Sequence, residues 1–260
     1  MKQFVTFVLA AAAFVHAQDT GTSSLQPLVN IGYVVFPSFE ALDVFGPLDP
    51  LNMLSMTVPL NLSIIAGSLD PVNTRPVSMA TPSFFGESIV PSHTFADPPK
   101  NLDVLIVPGG LGTRAPIEQL QPAIDFIKTQ YPDLKYLISV CTGATLLARA
   151  GVLDGRRATS NKAAWAFVKS TGPNVEWVPQ ARWVVDGNIW TTSGVAAGID
   201  GIFAWIGHVW GEDTSLRIAN LIEYERHTDP SWDPFAIIWN TTGTASAPAA
   251  SAKLLPVIEI

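Results

Sequence analysis

Four short β-branched apolar runs, each followed by a stretch of helical periodicity, constrain this chain more than anything else in it. Residues 29–36 read VNIGYVVF and are closed by Pro37, and residues 60–66 read LNLSIIA. Residues 102–107 (LDVLIV) run into Pro108-Gly109-Gly110, and residues 136–140 (YLISV) run into Cys141. Apolar runs this short, without polar alternation, are the pattern of strands buried on both faces. After the first run, Phe39, Leu42, Val44, Phe45, Leu48, Leu51 and Leu54 recur at helical spacing. Ser38 is the expected N-cap of that helix, and Pro47 and Pro50 are expected to break or kink its second half. Further helices are expected over 117–127, 144–150 with Gly151 as C-cap, 163–168, 199–210 and 214–224. Residues 175–178 read as a strand and 182–191 as a hairpin around Asp186-Gly187. Strands that alternate with helices specify an α/β chain whose doubly wound, mainly parallel sheet is covered on both faces.

The chain has 260 residues, 48% of them hydrophobic, with 8 Trp and 13 Phe. That is ample for the core of one domain, expected over 29–235, with no internal repeat or linker dividing it. With 15 Lys and Arg against 22 Asp and Glu the net charge is -7. The basic patch that a nucleic-acid partner needs is missing, so none is expected. One cysteine, Cys141, excludes an intramolecular disulfide and a multi-cysteine zinc site. Residues 71–99, rich in Pro, Ser and Thr, read as a small hairpin or edge excursion, and residues 236–260 as a flexible tail.

Residues 1–17 read as a signal peptide: Lys2, an apolar run from Phe4 to Val15, and the small-x-small ending Val15-His16-Ala17. Cleavage there starts the mature chain near Gln18, with 18–28 as an N-terminal extension and secretion as the expected fate. The run is shorter than the roughly 20 residues a membrane span needs, so no stable membrane association is expected. Two sequons, Asn61-Leu62-Ser63 and Asn240-Thr241-Thr242, suit export through a glycosylating pathway. Asn61 lies inside a strand, which leaves Asn240 the better acceptor. In an oxidising space, a lone thiol without a pairing partner points to chemistry at Cys141.

In a doubly wound sheet, ligands bind beyond the carboxyl ends of the strands. The residues there are Asp43, a turn into the first helix, Gly109-Gly110, and Cys141-Thr142-Gly143. A buried strand that turns at once into a helix puts Cys141 on a sharp elbow, where the helix dipole is expected to lower its pKa. The Thr142 N–H, with that of Gly109 or Gly110, is expected to form an oxyanion-type hole. A thiol at such an elbow suits covalent catalysis, and equally a core cysteine. Asp43 sits in an apolar stretch, where a carboxylate must be paired or raised in pKa, as a general acid requires; Asp49 is its exposed control.

The segments FPSFEALDVFGPLD, LDVLIVPGG, SVCTGATLLARAGVLDGRRAT, DGNIWTTSGVAAGID and LIEY, in this order, resemble the ThiJ/PfpI superfamily, whose fold is class I glutamine-amidotransferase-like and flavodoxin-like. Within it the chain looks most like isonitrile hydratases and the amidotransferase-like domains of AraC-type regulators. A regulator carries a helix-turn-helix region after this domain, which is not expected here. The resemblance implies that Cys141 attacks an isonitrile carbon, that Asp43 supplies or shuttles the proton, and that water resolves a thioimidate to an N-substituted formamide. It also implies that Thr142 orients the sulfur's surroundings and that Gly109-Gly110 stabilise an anion. The small-molecule substrate needs no metal or organic cofactor, and a homodimer is common in the family. The Trp-rich segments 205–210 and 232–239 offer apolar area for such an interface or for the core.

The chain departs from the family in one respect. Proteases, deglycases and glyoxalases of this superfamily carry a histidine directly after the cysteine or about twenty residues later; Thr142 and Asn161 stand there. His93, His208 and His227 lie in other segments and read as surface or packing residues. A Cys-His dyad and peptide hydrolysis are therefore disfavoured; bacterial hydratases often have histidine at the Asn161 position too, so Asn161 either orients a substrate carbonyl or water or marks drift to a reaction outside the family's known set. The rival readings are a non-catalytic ligand-binding or redox-sensing protein, and a cofactor-free lyase or cyclase acting on a secondary metabolite.

Overall fold

A computed structural model describes residues 29–76 and 84–243. The expected signal peptide, 1–17, and the extension 18–28 lie outside the described residues. In chain order, β1 (Val29–Val34) leads to α1 (Ala41–Ser55) and β2 (Leu60–Ala66). The excursion follows as an antiparallel pair, β3 (Val72–Asn73) and β4 (Ser88–Ile89), then β5 (His93–Thr94). Next come β6 (Val104–Val107), α2 (Ile117–Gln130), β7 (Tyr136–Ser139), α3 (Ala144–Arg149), β8 (Arg157–Ala158), α4 (Trp165–Thr171) and β9 (Glu176–Trp177). The chain continues through β10 (Trp183–Asp186), β11 (Ile189–Thr192), α5 (Val195–Trp210), α6 (Glu212–Leu221) and a single turn, α7 (Phe235–Ile238).

Seven strands form the central sheet in the order β10-β11-β7-β6-β1-β2-β5. Every pairing is parallel except β10 with β11, the expected hairpin. Its two-residue turn is Gly187-Asn188, one position later than the Asp-Gly signal, with Gly187 at φ 60°. Tyr33, Val34, Leu105, Ile106, Leu137 and Ile138 from the middle strands are at most 2% exposed. Burial of such aliphatic side chains stabilises by roughly 1.5–3 kcal/mol each, so the apolar runs that defined the strands also hold the sheet. The chain moves outward from β1 to β2 and β5, then returns to β6 on the other side. The strand order reverses between β1 and β6, where ligand crevices form in sheets of this kind.

Three expectations are corrected. Pro47 and Pro50 do not break α1, which runs unbroken from Ala41 to Ser55. Pro47 has no N–H for the Asp43 carbonyl four residues back; the Tyr33 hydroxyl of β1 donates to that carbonyl instead. Ser38 is not the N-cap. It sits at φ 65° with its hydroxyl donating to the Arg75 carbonyl at 3.1 Å, and Glu40 precedes the helix without a side-chain cap. Of the expected tail, 236–260, the first residues are packed, because α7 buries Ala236 completely and Thr241 N–H returns to its carbonyl at 3.0 Å; residues 244–260 lie outside the described residues. Of the two Trp-rich segments, Trp205 is fully buried in the domain's own core, whereas Trp232 and Trp239 are half exposed. Among the described residues, no helix is long and apolar enough to cross a membrane.

Candidate active site

At the end of β7 the Val140 N–H pairs with the Val107 carbonyl at 2.9 Å, and the chain turns at once through a 3-10 turn, Cys141–Gly143, into α3. The reversal needs a left-handed residue, and Cys141 adopts φ 56°. Such a backbone costs a side-chain-bearing residue roughly 1–2 kcal/mol and persists only where its surroundings enforce it. Two contacts do so here: the Ser160 hydroxyl donates to the Cys141 carbonyl at 2.6 Å, and Gly143 N–H returns to the Val140 carbonyl at 2.9 Å. Gly143 is required because a Cβ there would lie 2.3 Å from the Val107 carbonyl oxygen.

Asp43, the third residue of α1, is fully buried. Its Oδ2 accepts the Gly109 N–H at 2.9 Å, and the Cys141 thiol is the donor beside the carboxyl. Oδ1 is buried without an aligned hydrogen-bond partner among the described residues, so a proton or a reacting group is the natural complement to it. Burial raises the Asp43 pKa to about 7. The Gly109 N–H opposes that shift, the Glu40 charge adds to it, and the Cys141 hydrogen bond opposes it. Asp49, on the same helix, is exposed. The contrast in burial expected between the two carboxylates holds.

The glycine loop does something other than expected. Gly109 N–H is committed to Asp43, and Gly110 N–H donates to the Thr142 hydroxyl at 3.0 Å. An N–H engaged in one bond has no second hydrogen for an oxyanion, so neither glycine offers a free donor in this arrangement. The loop instead braces the site. Thr113 Oγ1 donates to Thr142 Oγ1 at 3.1 Å, and a Cβ on Gly109 would lie 2.5 Å from Thr142 N and 2.9 Å from Asp43 Oδ2. The Thr142 N–H is engaged as well, donating to the Cys141 sulfur.

The thiol's pKa also runs against the helix-dipole argument. Burial pushes it well above its ordinary value; the Asp43 and Glu40 charges add to the rise, and hydrogen bonds from Thr142 and the Asn161 side chain only partly oppose it. Cys141 is 6% exposed and its α3 has only six residues, so desolvation outweighs the dipole. Asn161 Oδ1 accepts Ala164 N–H at 3.0 Å, which leaves its amide nitrogen to face the thiol. Cys141, Asp43, Thr142 and Asn161 thus converge on one point.

Of the residues that sequence reasoning missed, Tyr33 and Glu40 act on Asp43 and Lys162 lies behind the elbow. Lys162, 2% exposed, gives hydrogen bonds to Thr159 Oγ1, Ser160 O, Ala181 O and Ser193 Oγ at 2.8–3.0 Å and pairs with Asp233 at 3.2 Å. Burial lowers its pKa to about 8, against the opposing pull of Asp233 and Cys141. A lysine two residues before the apolar Ala164-Trp165 pair was the signal available in the sequence. The remaining candidates stay outside the cluster. Asn61 is exposed on β2 and donates to Asn30 Oδ1, and Asn240 is exposed beyond α7. His208 packs on Tyr136 and Trp190, His227 stacks on Trp232, and His93 contacts Ser92.

Two cavities open at this end of the sheet. The larger, about 810 Å³, is lined by Phe36, Val72, Arg75, Phe84, Phe95 and others, and by none of the four converging residues. The smaller, about 340 Å³, has Asn161 in its wall, so chemistry favours it over size.

The DJ-1/PfpI family matches residues 30–206. The isonitrile hydratase of Pseudomonas putida is 34% identical over 197 residues, 75% of this chain and 78% of that protein. A deglycase of Thermococcus kodakarensis is 39% identical over 97 residues, 36% of this chain and 54% of its own length. A crystal structure of a ThiJ/PfpI family protein from Pseudomonas syringae superposes with a TM-score of 0.66 at 28% identity, covering 85% of each chain.

Proposed function

The chain belongs to the DJ-1/PfpI family, and from that premise we propose that it hydrates isonitriles to N-substituted formamides, with Cys141 as nucleophile and Asp43 as proton carrier. The observation that carries this reading is the pairing of a protonated, buried thiol with a carboxyl whose pKa is about 7. An isonitrile carbon must gain both a nucleophile and a proton, and a carboxyl near neutrality can both take and give one. Asp43 accepts the thiol proton as sulfur bonds to the isonitrile carbon. It returns that proton to the same carbon, giving the thioimidate R–N=CH–S–Cys141. Water adds to this carbon, the C–S bond breaks, and sulfur recovers a proton as R–NH–CHO leaves. The sum is R–NC + H2O → R–NH–CHO, with no redox change.

Likeness to the isonitrile hydratase of Pseudomonas putida over three quarters of this chain supports the reading. Asn161, where deglycases and proteases of the superfamily need a base, argues against those reactions: an amide holds a substrate atom or a water but takes no proton. Redox sensing calls for an exposed, low-pKa thiol, which is the opposite of Cys141. The sequence pattern of residues 1–17 supports action outside the cell, and Asn240 is the better glycosylation acceptor. The experiment is turnover of phenyl, benzyl and cyclohexyl isonitriles with formamide quantified, using Cys141→Ala and Asp43→Asn as controls. Formamide from the wild type alone is expected. No formamide from folded wild type across the panel overturns the reading.

A further inference from the structure

The 340 Å³ cavity adjoins the nucleophile through a single residue. Asn161 contributes to its wall while its side chain also hydrogen-bonds the Cys141 thiol. Gly194, in the same wall, lies beside this amide: a Cβ built there would meet Asn161 Nδ2 at 3.5 Å, an ordinary contact. The volume lies at the small end of ordinary ligand pockets, and a cavity of about 150 Å³ already admits benzene.

Two cations border the cavity, and neither is available to an anion. Lys162 is paired with Asp233, and Arg182 grips Asp200 Oδ2 through Nε at 2.8 Å and Nη2 at 2.6 Å. Ser193 and Asp233 also line it and are both bonded to Lys162; the apolar part of the wall is Val195, Ala196 and Ala197 at the start of α5 with Phe235 and Trp239 of the C-terminal segment. That segment is held in place. Asp233 Oδ1 accepts Phe235 N–H at 3.0 Å, while its Oδ2 takes the Ser193 hydroxyl at 2.5 Å and the Lys162 ammonium at 3.2 Å. Lys162 and Ser193 stand at the back of the elbow, so this buried pair ties the outer wall of the cavity to the nucleophile's own loop. Phe235 and Trp239 are each 49% exposed, as residues that line an open cavity are.

We propose that this cavity is the specificity pocket: it receives the uncharged aromatic or branched aliphatic substituent of the molecule attacked by Cys141, and Trp239 and Phe235 set the size accepted. The assignment rests on the hydratase reading for the identity of the reacting carbon, but it concerns what surrounds the rest of the substrate.

Two matched alkylating agents test it without relying on turnover. Both 2-chloroacetamide and N-benzyl-2-chloroacetamide form a thioether at Cys141 and release chloride, and they differ only in the group offered to the pocket. In wild type the benzyl reagent should modify Cys141 about tenfold faster, in line with the discrimination an apolar pocket provides. Trp239→Ala should reduce that preference, taken as the ratio of the two rates within each variant, several-fold, and Ala196→Trp, which fills an exposed edge of the cavity, should abolish it. Equal rates for the two reagents in wild type, or a preference unmoved by both substitutions, overturns the assignment. In parallel, the kcat/KM ratio of benzyl to methyl isonitrile should fall in both variants. Intact alkylation selectivity with no isonitrile turnover refutes the hydratase reading and keeps the pocket. Turnover with an unchanged ratio refutes the pocket and keeps the hydratase.

Discussion

Gly109 donates its N–H to Asp43 Oδ2 at 2.9 Å across 66 positions of sequence, so the loop after β6 holds the carboxyl that serves the cysteine after β7. There is no room for a side chain at this joint. Gly109→Ala would place a Cβ 2.5 Å from Thr142 N and 2.6 Å from Thr142 Oγ1, which forces Asp43 and Thr142 apart. Overpacking of this kind costs roughly 1–3 kcal/mol. Thermal unfolding should show that loss together with a fall in kcat, whereas Gly67→Ala, with open space around it, changes neither.

Asp43→Asn separates activity from stability. The folded pKa of Asp43, about 7, lies above its ordinary 3.8. Below about pH 4 both folded and unfolded states hold the proton and burial costs nothing. As pH rises from 4 through 7 the unfolded chain ionises first and stability is lost, by an amount of the order of 4 kcal/mol above pH 7. Asn avoids that penalty, so the variant should melt higher than wild type at pH 8 and equally at pH 4. Its turnover should fall by roughly 10²–10⁴-fold, the usual worth of a positioned proton carrier. A variant that melts lower at pH 8 contradicts the burial account.

The same shift sets the pH profile. The reactive pair holds one proton between thiol and carboxyl. Below pH 7 it holds two, leaving no base for the thiol proton. Because the thiol titrates far above the carboxyl, the singly protonated form persists into alkaline solution. kcat/KM should therefore rise with an apparent pKa near 7 and stay level at least to pH 9. A bell with a falling limb near pH 8 would show that a second group, such as Lys162 with its pKa of about 8, takes part in the chemistry.

Asn161→Asp keeps the oxygen that accepts Ala164 N–H and replaces the amide that faces the thiol with a second negative charge. The thiol pKa should rise further, and turnover should fall by about 10–100-fold with little change in melting temperature. Iodoacetamide labelling of Cys141 against pH, beside the turnover measurement, checks both.

Most of the fold was legible because the strands are buried on both faces: an apolar run such as LDVLIV has few alternatives once Pro108-Gly109 ends it. The elbow was legible for a related reason, since Cys141-Thr142-Gly143 follows such a strand directly. The sequence misled wherever a long-range partner decided the outcome. Pro47 looks like a break in α1 until Tyr33, on another strand, is seen to satisfy the carbonyl that Pro47 leaves free. Tyr33→Phe should therefore destabilise the protein by about 1–3 kcal/mol, the cost of an unsatisfied buried carbonyl. The Gly109 and Gly110 amides look like an oxyanion hole until Asp43 and Thr142 are found to occupy them. Lys162 and Asp233, 71 positions apart, carry no local pattern that would join them.

Bond formation between Cys141 and the isonitrile carbon is the central claim, and intact-protein mass spectrometry after rapid acid quench reads it directly. Wild type mixed with cyclohexyl isonitrile should gain the mass of one isonitrile on the peptide that contains Cys141, and the adduct should disappear as N-cyclohexylformamide accumulates. Formamide formed at the wild-type rate by Cys141→Ala, or an adduct that never clears, would contradict the account.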